Sequence, residues 1–353
     1  MSDHPPIVSI LAPAYNAGAY LGELCDSIQA QDFTDFEVVI LNDGSTDNTR
    51  ERLEPYLKDR RFRVIHWDKN RGIGEGTRHV LAEARGEFWC YPGADDVLLP
   101  GFLSHRVEWL REDVDAALVH GPGIHIDENG RELTVEQPVP VLPRRMSGGD
   151  ALAHLLQHNV INTPSIMART SVTRRVMSSY SPDWRYAQDW FLWLLHAASG
   201  GAFLYDAAKR HKYRVHGASL TCAGRMNAVR QAEVRLVPLC ALGKAAAFGG
   251  EAEEMWRRWK SDLYSLWLRR AWAIGRDAAG IDDWTRRAAA AYNEGESRTC
   301  SLIRETLRHA GSIVAASARE RLARRRQIFP VSGLACLDQP AFRELRPGPE
   351  AQG

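Results

Sequence analysis

The chain has 353 residues, 44% hydrophobic and 25% charged, with a formal net charge of +1. That composition excludes wholesale disorder and supports a sizeable core, as one large domain with an appendage or as two domains. The near-neutral total hides an asymmetry: residues 1–224 carry a net −6 and residues 225–353 a net +7, which sets an expected boundary near residue 224.

In chain order, residues 7–12 read as a short apolar strand stopped by Pro13. Leu21, Leu24, Cys25 and Ile28 recur at helical spacing and predict a helix over 19–30. Residues 37–41 form the second strand, followed by a helix over 46–58 that Ser45 or Thr46 would cap. A third strand covers 62–67, a helix 74–84, a fourth strand 87–91, a helix 100–112 and a fifth strand 116–120. Alternation of this length predicts an α/β fold with a mostly parallel central sheet and helices on both faces. Ligands in such sheets bind beyond the carboxyl ends of the strands, and Asp43 and Asp95 fall at two such ends.

From residue 121 the pattern is less regular. Asp127-Glu128-Asn129-Gly130 reads as a hairpin turn. Helices are expected over 150–158 and 171–177, with a strand at 165–167. Asp189 opens a strongly apolar helix that Gly200-Gly201 ends, and strands follow at 202–205 and 212–215. Residues 225–330 read as helices only: Met255, Trp256, Trp259, Leu263, Leu266 and Trp267 keep helical spacing, and 303–326 is amphipathic and arginine-rich. The proline-bearing residues 331–353 are expected to form an extended tail.

The chemistry concentrates at the strand ends. Asp95 and Asp96 are adjacent carboxylates at the mouth of a sheet, where they repel each other and resist desolvation. Such a pair is tolerated where a cation or a substrate proton sits between the acids. Asn42-Asp43 ends the second strand in the same way. Two carboxylate-tipped strands in one half point to a site for a metal-bound nucleotide.

Six segments then occur in a telling order: Ala12-Pro13-Ala14-Tyr15-Asn16; Asn42-Asp43-Gly44-Ser45-Thr46-Asp47; Asn70-Arg71-Gly72-Ile73-Gly74 with Arg78; Gly93-Ala94-Asp95-Asp96; Gln188-Asp189-Trp190; and Tyr213-Arg214-Val215-His216 with Ser219. With these, residues 7–221 resemble the family 2 glycosyltransferases of the GT-A fold. The resemblance implies a Rossmann-like nucleotide-sugar-binding domain over residues 1–224 and an inverting hexosyl- or N-acetylhexosaminyltransferase. The implied donor is a nucleotide sugar, a UDP-sugar first, and the implied acceptor a hydroxyl of a glycan or lipid-linked molecule.

By the same resemblance, Pro13, Tyr15, Asn16, Asp43, Asn70, Gly72, Arg78, Ala94 and Asp95 contact the nucleotide sugar. Asp95 and His216 hold a divalent cation, Mn²⁺ or Mg²⁺, and Asp189 is the general base. The chain departs from the family pattern at Gly93, where the first acid of D-x-D is missing, at Asn42, and at Gln188, which replaces a Glu. Each assignment has a plainer alternative. Asp43 would be a turn acid capping the next helix, Asp96 the cap of the helix near Pro100, Arg78 a solvated helix arginine, and Asp189 a helix-start acid whose carboxyl the dipole would hold low and ionised.

Competing functions fit less well. A dinucleotide fingerprint needs G-x-G-x-x-G straight after the first strand; here the glycines follow the third strand as G-x-G-x-G. A non-catalytic nucleotide-sugar binder is motivated by Gly93 alone. Nucleic acid is not an expected partner, because the basic segment belongs to no recognised module. The C-terminal helices are expected to pack on the catalytic domain, to form a homodimer interface, or to rest on anionic lipid through the basic stretch 319–326. Scattered cysteines (Cys25, Cys90, Cys222, Cys240, Cys300, Cys336), no leader-like N-terminus and no apolar run of about 20 residues lead to an expected cytoplasmic location.

Overall fold

A computed structural model describes residues 4–134, 142–156 and 158–224, scattered positions between 233 and 254, and residues 346–347. Apart from β5, the first half alternates as the sequence predicts: β1 (Val8–Ala14), α1 (Leu21–Gln29), β2 (Phe36–Asp43), α2 (Thr49–Leu53), β3 (Phe62–Trp67), α3 (Ile73–Glu83), β4 (Phe88–Cys90), β5 (Val97–Leu98), α4 (Phe102–Glu112) and β6 (Ala116–His120). The second half carries β7 (Ile124–Ile126), β8 (Leu133–Thr134), β9 (Arg145–Met146), α5 (Gly148–Leu155), β10 (Met167–Arg169), α6 (Thr170–Val176), α7 (Gln188–Ala198), β11 (Ala202–Tyr205), β12 (His211–Arg214) and α8 (Leu220–Gly224).

Eight strands form one sheet in the order β3-β2-β1-β4-β10-β6-β11-β9. β3, β2, β1 and β4 are parallel. β10 enters antiparallel between β4 and β6, and β11 returns parallel to β6. The carboxyl ends of β1 to β4, β6 and β11 therefore open on one edge. Successive side chains of a strand face opposite ways, and both directions here are apolar. Ile10, Val38 and Ile40 pack with Leu21, Leu24, Phe102 and Leu110 on one face. Leu11, Val39 and Leu41 pack with Val80, Leu81, Phe191 and Trp193 on the other. Covering both faces explains why the parallel strands read as continuous apolar runs.

Several elements differ from the sequence reading for identifiable reasons. β1 continues through Pro13 to Ala14; β4 stops pairing with β1 at Ile10, so the missing N–H falls where β1 has no second neighbour. The helix expected over 46–58 is a short α2 followed by a 3-10 turn at Glu54–Lys58, where Pro55 removes a donor. Asn48 occupies its N-cap, and Ser45 and Thr46 bond to Asn16 instead. The strand expected at 165–167 is present as β10 but starts only at Met167, after a 3-10 turn at Thr163–Ser165. The hairpin turn at 127–130 is present, with Gly130 at φ 82°.

A second sheet, β5-β12-β7, was not expected. It lays β12 antiparallel on β5 and so brings residues 214–216 against the loop after β4. Val237, Cys240 and Ala241 join the core beside α7. The tryptophan-rich stretch from 255, the basic stretch 319–326 and nearly all of the expected tail lie outside the described residues. Among the described residues no helix is long and apolar enough to cross a membrane.

Candidate active site

Four loops meet at the carboxyl edge of β1 to β4, and the residues of the first two motifs bind each other. Asn16 sits at φ 50°, in the left-handed region. Its side-chain oxygen accepts the Thr46 N–H at 2.8 Å, and its own N–H donates to Ser45 Oγ at 2.9 Å. The N–H groups of Ala17 and Gly18 donate to Thr49 Oγ1 and Asp47. Asn42, standing where the family carries an acid, accepts the Ser45 N–H at 3.1 Å and lies 3.3 Å from His66 Nδ1.

Asp43 is buried, and its carboxylate accepts the N–H groups of Arg71 (2.7 Å) and Gly72 (3.0 Å). It therefore pins the β3–α3 loop and does not cap the helix after it. Gly72 adopts φ 90°, which favours glycine. The same loop exposes Asn70 and lays the Arg71 guanidinium over the Trp67 ring at 4.4 Å. Tyr15, just beyond the end of β1, is 50% exposed. Pro13 packs where Gly76 of α3 leaves room. Arg78 lies on the exposed side of α3, paired with Glu75 at 2.7 Å.

At the end of β4 the Gly93–Asp96 turn separates two carboxylates by role. Asp96 is buried and accepts the N–H groups of Gly93 (2.9 Å) and Arg214 (3.0 Å). Burial, then the Asp95 charge, push its carboxyl well above the usual range. It is no cap for α4, which starts from Gly101 without a side-chain cap. Asp95 is partly exposed, and its Oδ2 lies 2.9 Å from His216 Nε2. The imidazole is backed by the Tyr20 ring at 4.9 Å. Ala94 is buried between the two features.

Arg214 holds this arrangement together. Fully buried, it donates to the Asp95 carbonyl, to the Asp127 and Glu128 carbonyls, and to Glu23 at 2.6 Å. A Cβ at Gly93 would lie 2.5 Å from Asp96 Oδ2 and 2.7 Å from Asp95 Oδ1. The Asp95 and Asp96 carboxylates occupy the space beside Gly93 that a first D-x-D acid would enter.

Asp95 and His216 offer one hard oxygen and one imidazole nitrogen from partly exposed side chains, a donor set that suits Mn²⁺ or Mg²⁺. Among the described residues no cluster of three or more His, Cys, Asp or Glu forms a metal cage. A cation held by this pair would complete its shell with phosphate oxygens and water.

Asp189 stands in the first turn of α7. Its Oδ2 accepts the Thr163 hydroxyl at 2.7 Å and the Asn159 amide at 3.5 Å, and its Oδ1 accepts the Trp190 N–H at 2.7 Å. Its carboxyl is raised above the ordinary value: desolvation outweighs the hydrogen bonds from Thr163, Trp190 and Asn159. The low, dipole-held carboxyl expected from the sequence is thus reversed, because burial wins over the helix end. Beside it, Gln188 accepts from Tyr180 Oη at 3.3 Å. A Glu there would put a buried acid next to Asp189, so the amide is the less costly residue.

The two halves of the site share one strand end. Thr163 lies at the entrance to β10, whose Met167 pairs with Cys90 of β4. Asp189 also acts electrostatically on Tyr91, the residue after β4, which hydrogen-bonds Thr77 at 2.6 Å. Asp95 lies four residues beyond Tyr91 on the same loop. Sequence reasoning singles out Asp95, His216 and Asp189 as candidates. It missed Thr163 and Asn159, which no spacing links to Asp189, and it underrated Arg214.

Residues 9–207 match the Glycosyl transferase family 2 profile. The chain belongs to this family. A glycosyltransferase of Haemophilus influenzae is 28% identical over 225 residues, which span 60% of this chain and 66% of that protein. A chondroitin synthase of Escherichia coli is 33% identical over 150 residues, 42% of this chain and 22% of that protein. The chain thus covers less than two thirds of either relative. Among solved structures, Staphylococcus aureus TarS 1–349 in complex with UDP-GlcNAc aligns at TM-score 0.53 and 18% identity, covering 92% of this chain and 95% of that one. The Pyrobaculum calidifontis mannosyltransferase PcManGT, in complex with GDP-Man and Mn²⁺, aligns at 0.51 and 16%, covering 90% and 89%. These likenesses establish the GT-A fold for this family 2 glycosyltransferase.

Proposed function

We propose that the chain transfers a sugar from a nucleotide sugar, a UDP-sugar first, to a hydroxyl of a glycan or lipid-linked acceptor, with inversion in a single displacement. The observation that carries this reading is the placement of two unlike carboxylates at one strand end: Asp95 with its histidine, and the partly buried Asp189 held by Thr163. The UDP-GlcNAc and GDP-Man bound by the TarS and PcManGT structures support a nucleotide-sugar donor.

In this reading the base of the nucleotide lies against Tyr15, in the cleft bordered by the loop that Asp43 pins. Asp95 and His216 would hold a divalent cation, which would offset the charge of the departing diphosphate. Asp189 accepts the proton of the acceptor hydroxyl. The acceptor oxygen then bonds to the anomeric carbon as the bond from that carbon to the diphosphate oxygen breaks, and the electron pair leaves with the nucleoside diphosphate. Desolvation makes Asp189 a stronger proton acceptor than a solvated aspartate.

The test is UDP release from a panel of UDP-sugars with Mn²⁺ and with EDTA. Release that EDTA abolishes is expected. Protection from thermal unfolding without release from any donor would make the chain a nucleotide-sugar binder and contradict the proposal.

A further inference from the structure

The start of α7 lacks a capping side chain of its own. Its N-cap is Ala187, which has none to offer, and residues 181–187 before it form turns and bends. That segment is instead gripped from a distant part of the chain. The Glu233 carboxylate accepts the N–H of Arg185 on one oxygen (2.9 Å) and those of Tyr186 (2.6 Å) and Ala187 (3.1 Å) on the other. Glu233 is 2% exposed. Three consecutive backbone donors converging on one buried carboxylate fix the path of the turn, because hydrogen bonds to a charged acceptor are stronger than neutral ones.

Its surroundings point the same way. The described positions 233, 237, 240 and 241 are helical. Val237, Cys240 and Ala241 are buried in the same cluster as Trp184, Ala187, Trp190 and Phe191. Apolar packing brings the segment to the α7 end, and the carboxylate then locks the turn. Asp189 lies two residues beyond the last gripped N–H.

We propose that Glu233 is a positioning residue for sugar transfer. It anchors the 185–187 turn and so sets the place of the Asp189 carboxylate. The proposal rests on Asp189 being the base. A carboxylate displaced by about 1 Å from its working position loses up to a hundredfold in rate while the donor contacts stay intact.

The experiment compares full-length wild type, Glu233→Ala, Glu233→Gln and Asp189→Asn. Steady-state UDP release is measured from UDP-N-acetylglucosamine, UDP-glucose or UDP-galactose, whichever the wild type turns over. Amide hydrogen exchange is measured at residues 185–187. Glu233→Ala should lower kcat by about tenfold to a hundredfold, leave the donor KM unchanged and speed exchange at 185–187. Glu233→Gln, which keeps an acceptor oxygen, should recover part of kcat. If the alanine variant does not fold, the glutamine variant carries the test through the same split between kcat and KM and the same exchange readout. Wild-type kcat in the folded variants while Asp189→Asn is inactive would overturn the Glu233 role alone. A loss confined to donor KM would overturn it too. An active Asp189→Asn would overturn the base assignment and this proposal with it.

Discussion

The donor side and the base side of the site are built differently. On the donor side, motif residues hold motif residues: Asn16 binds Ser45 and Thr46, Asn42 binds Ser45, and Asp43 binds the N–H groups of Arg71 and Gly72. On the base side, Asp189 is held by Thr163 and Asn159, and the start of its helix by Glu233, none of which belongs to a motif. A self-bonded site announces itself in sequence, because the same few segments carry both the function and its support. A site supported from elsewhere announces only its functional residue.

The largest expected effect tests the base side. Asp189→Asn should lower transfer by about 10²–10⁴-fold with donor affinity unchanged, measured by steady-state kinetics and calorimetry. The same variant should be thermally more stable than wild type at neutral pH. The folded pKa of Asp189 is raised, so the folded protein holds this proton more tightly than the unfolded chain. Stability therefore falls as pH rises through that window, and Asn removes the penalty. The advantage should vanish in acid, where wild-type Asp189 is protonated.

Next in size is the cation pair. Asp95→Asn should weaken donor binding in limiting Mn²⁺ and leave metal-free binding unchanged. His216→Ala should do the same to a smaller extent, because the carboxylate is the better ligand for a hard cation. Calorimetric titrations with and without EDTA check both. Unchanged affinity in limiting Mn²⁺ would remove Asp95 from the metal site.

Thr163→Val sharpens the comparison further. It deletes a hydrogen bond to a charged group, worth about 1.5–3 kcal/mol, without touching the donor side. The lost bond favours the ionised carboxylate, so Asp189 should titrate higher still. The acidic limb of the kcat profile should move to higher pH while the donor KM holds. The smallest effect belongs to Arg78→Ala. Its exposed pair with Glu75 is of a kind worth about 0–1 kcal/mol. Stability should barely change, so any marked rise in donor KM would report a direct nucleotide contact.

The alternation of β1 to β4 and β6 was legible because the inner strands β1, β2, β4 and β6 are apolar and the helices between them keep their period. The position of β10 was not, since an antiparallel strand of three residues has no distinct pattern. The β5-β12-β7 sheet was hidden for the same reason: Val97–Leu98 is two residues long and finds its partner more than a hundred residues away. Asp43, Asp95, Asp189 and His216 stood out as acids or imidazole at element ends. What each acid binds did not stand out. Asp96 turned out to be a buried tie to Arg214, and the pKa direction at Asp189 depends on desolvation, which no local spacing encodes.

The central claim is that Asp95 and Asp189 face one donor from opposite sides of its reacting carbon. A crystal structure with Mn²⁺ and an intact UDP-sugar bound to Asp189→Asn tests it most directly. The account predicts the metal on Asp95 and His216, bridging the diphosphate, with residue 189 facing the anomeric carbon from the side away from that diphosphate. A metal bound elsewhere, or residue 189 opening into a cavity the sugar does not reach, would contradict it.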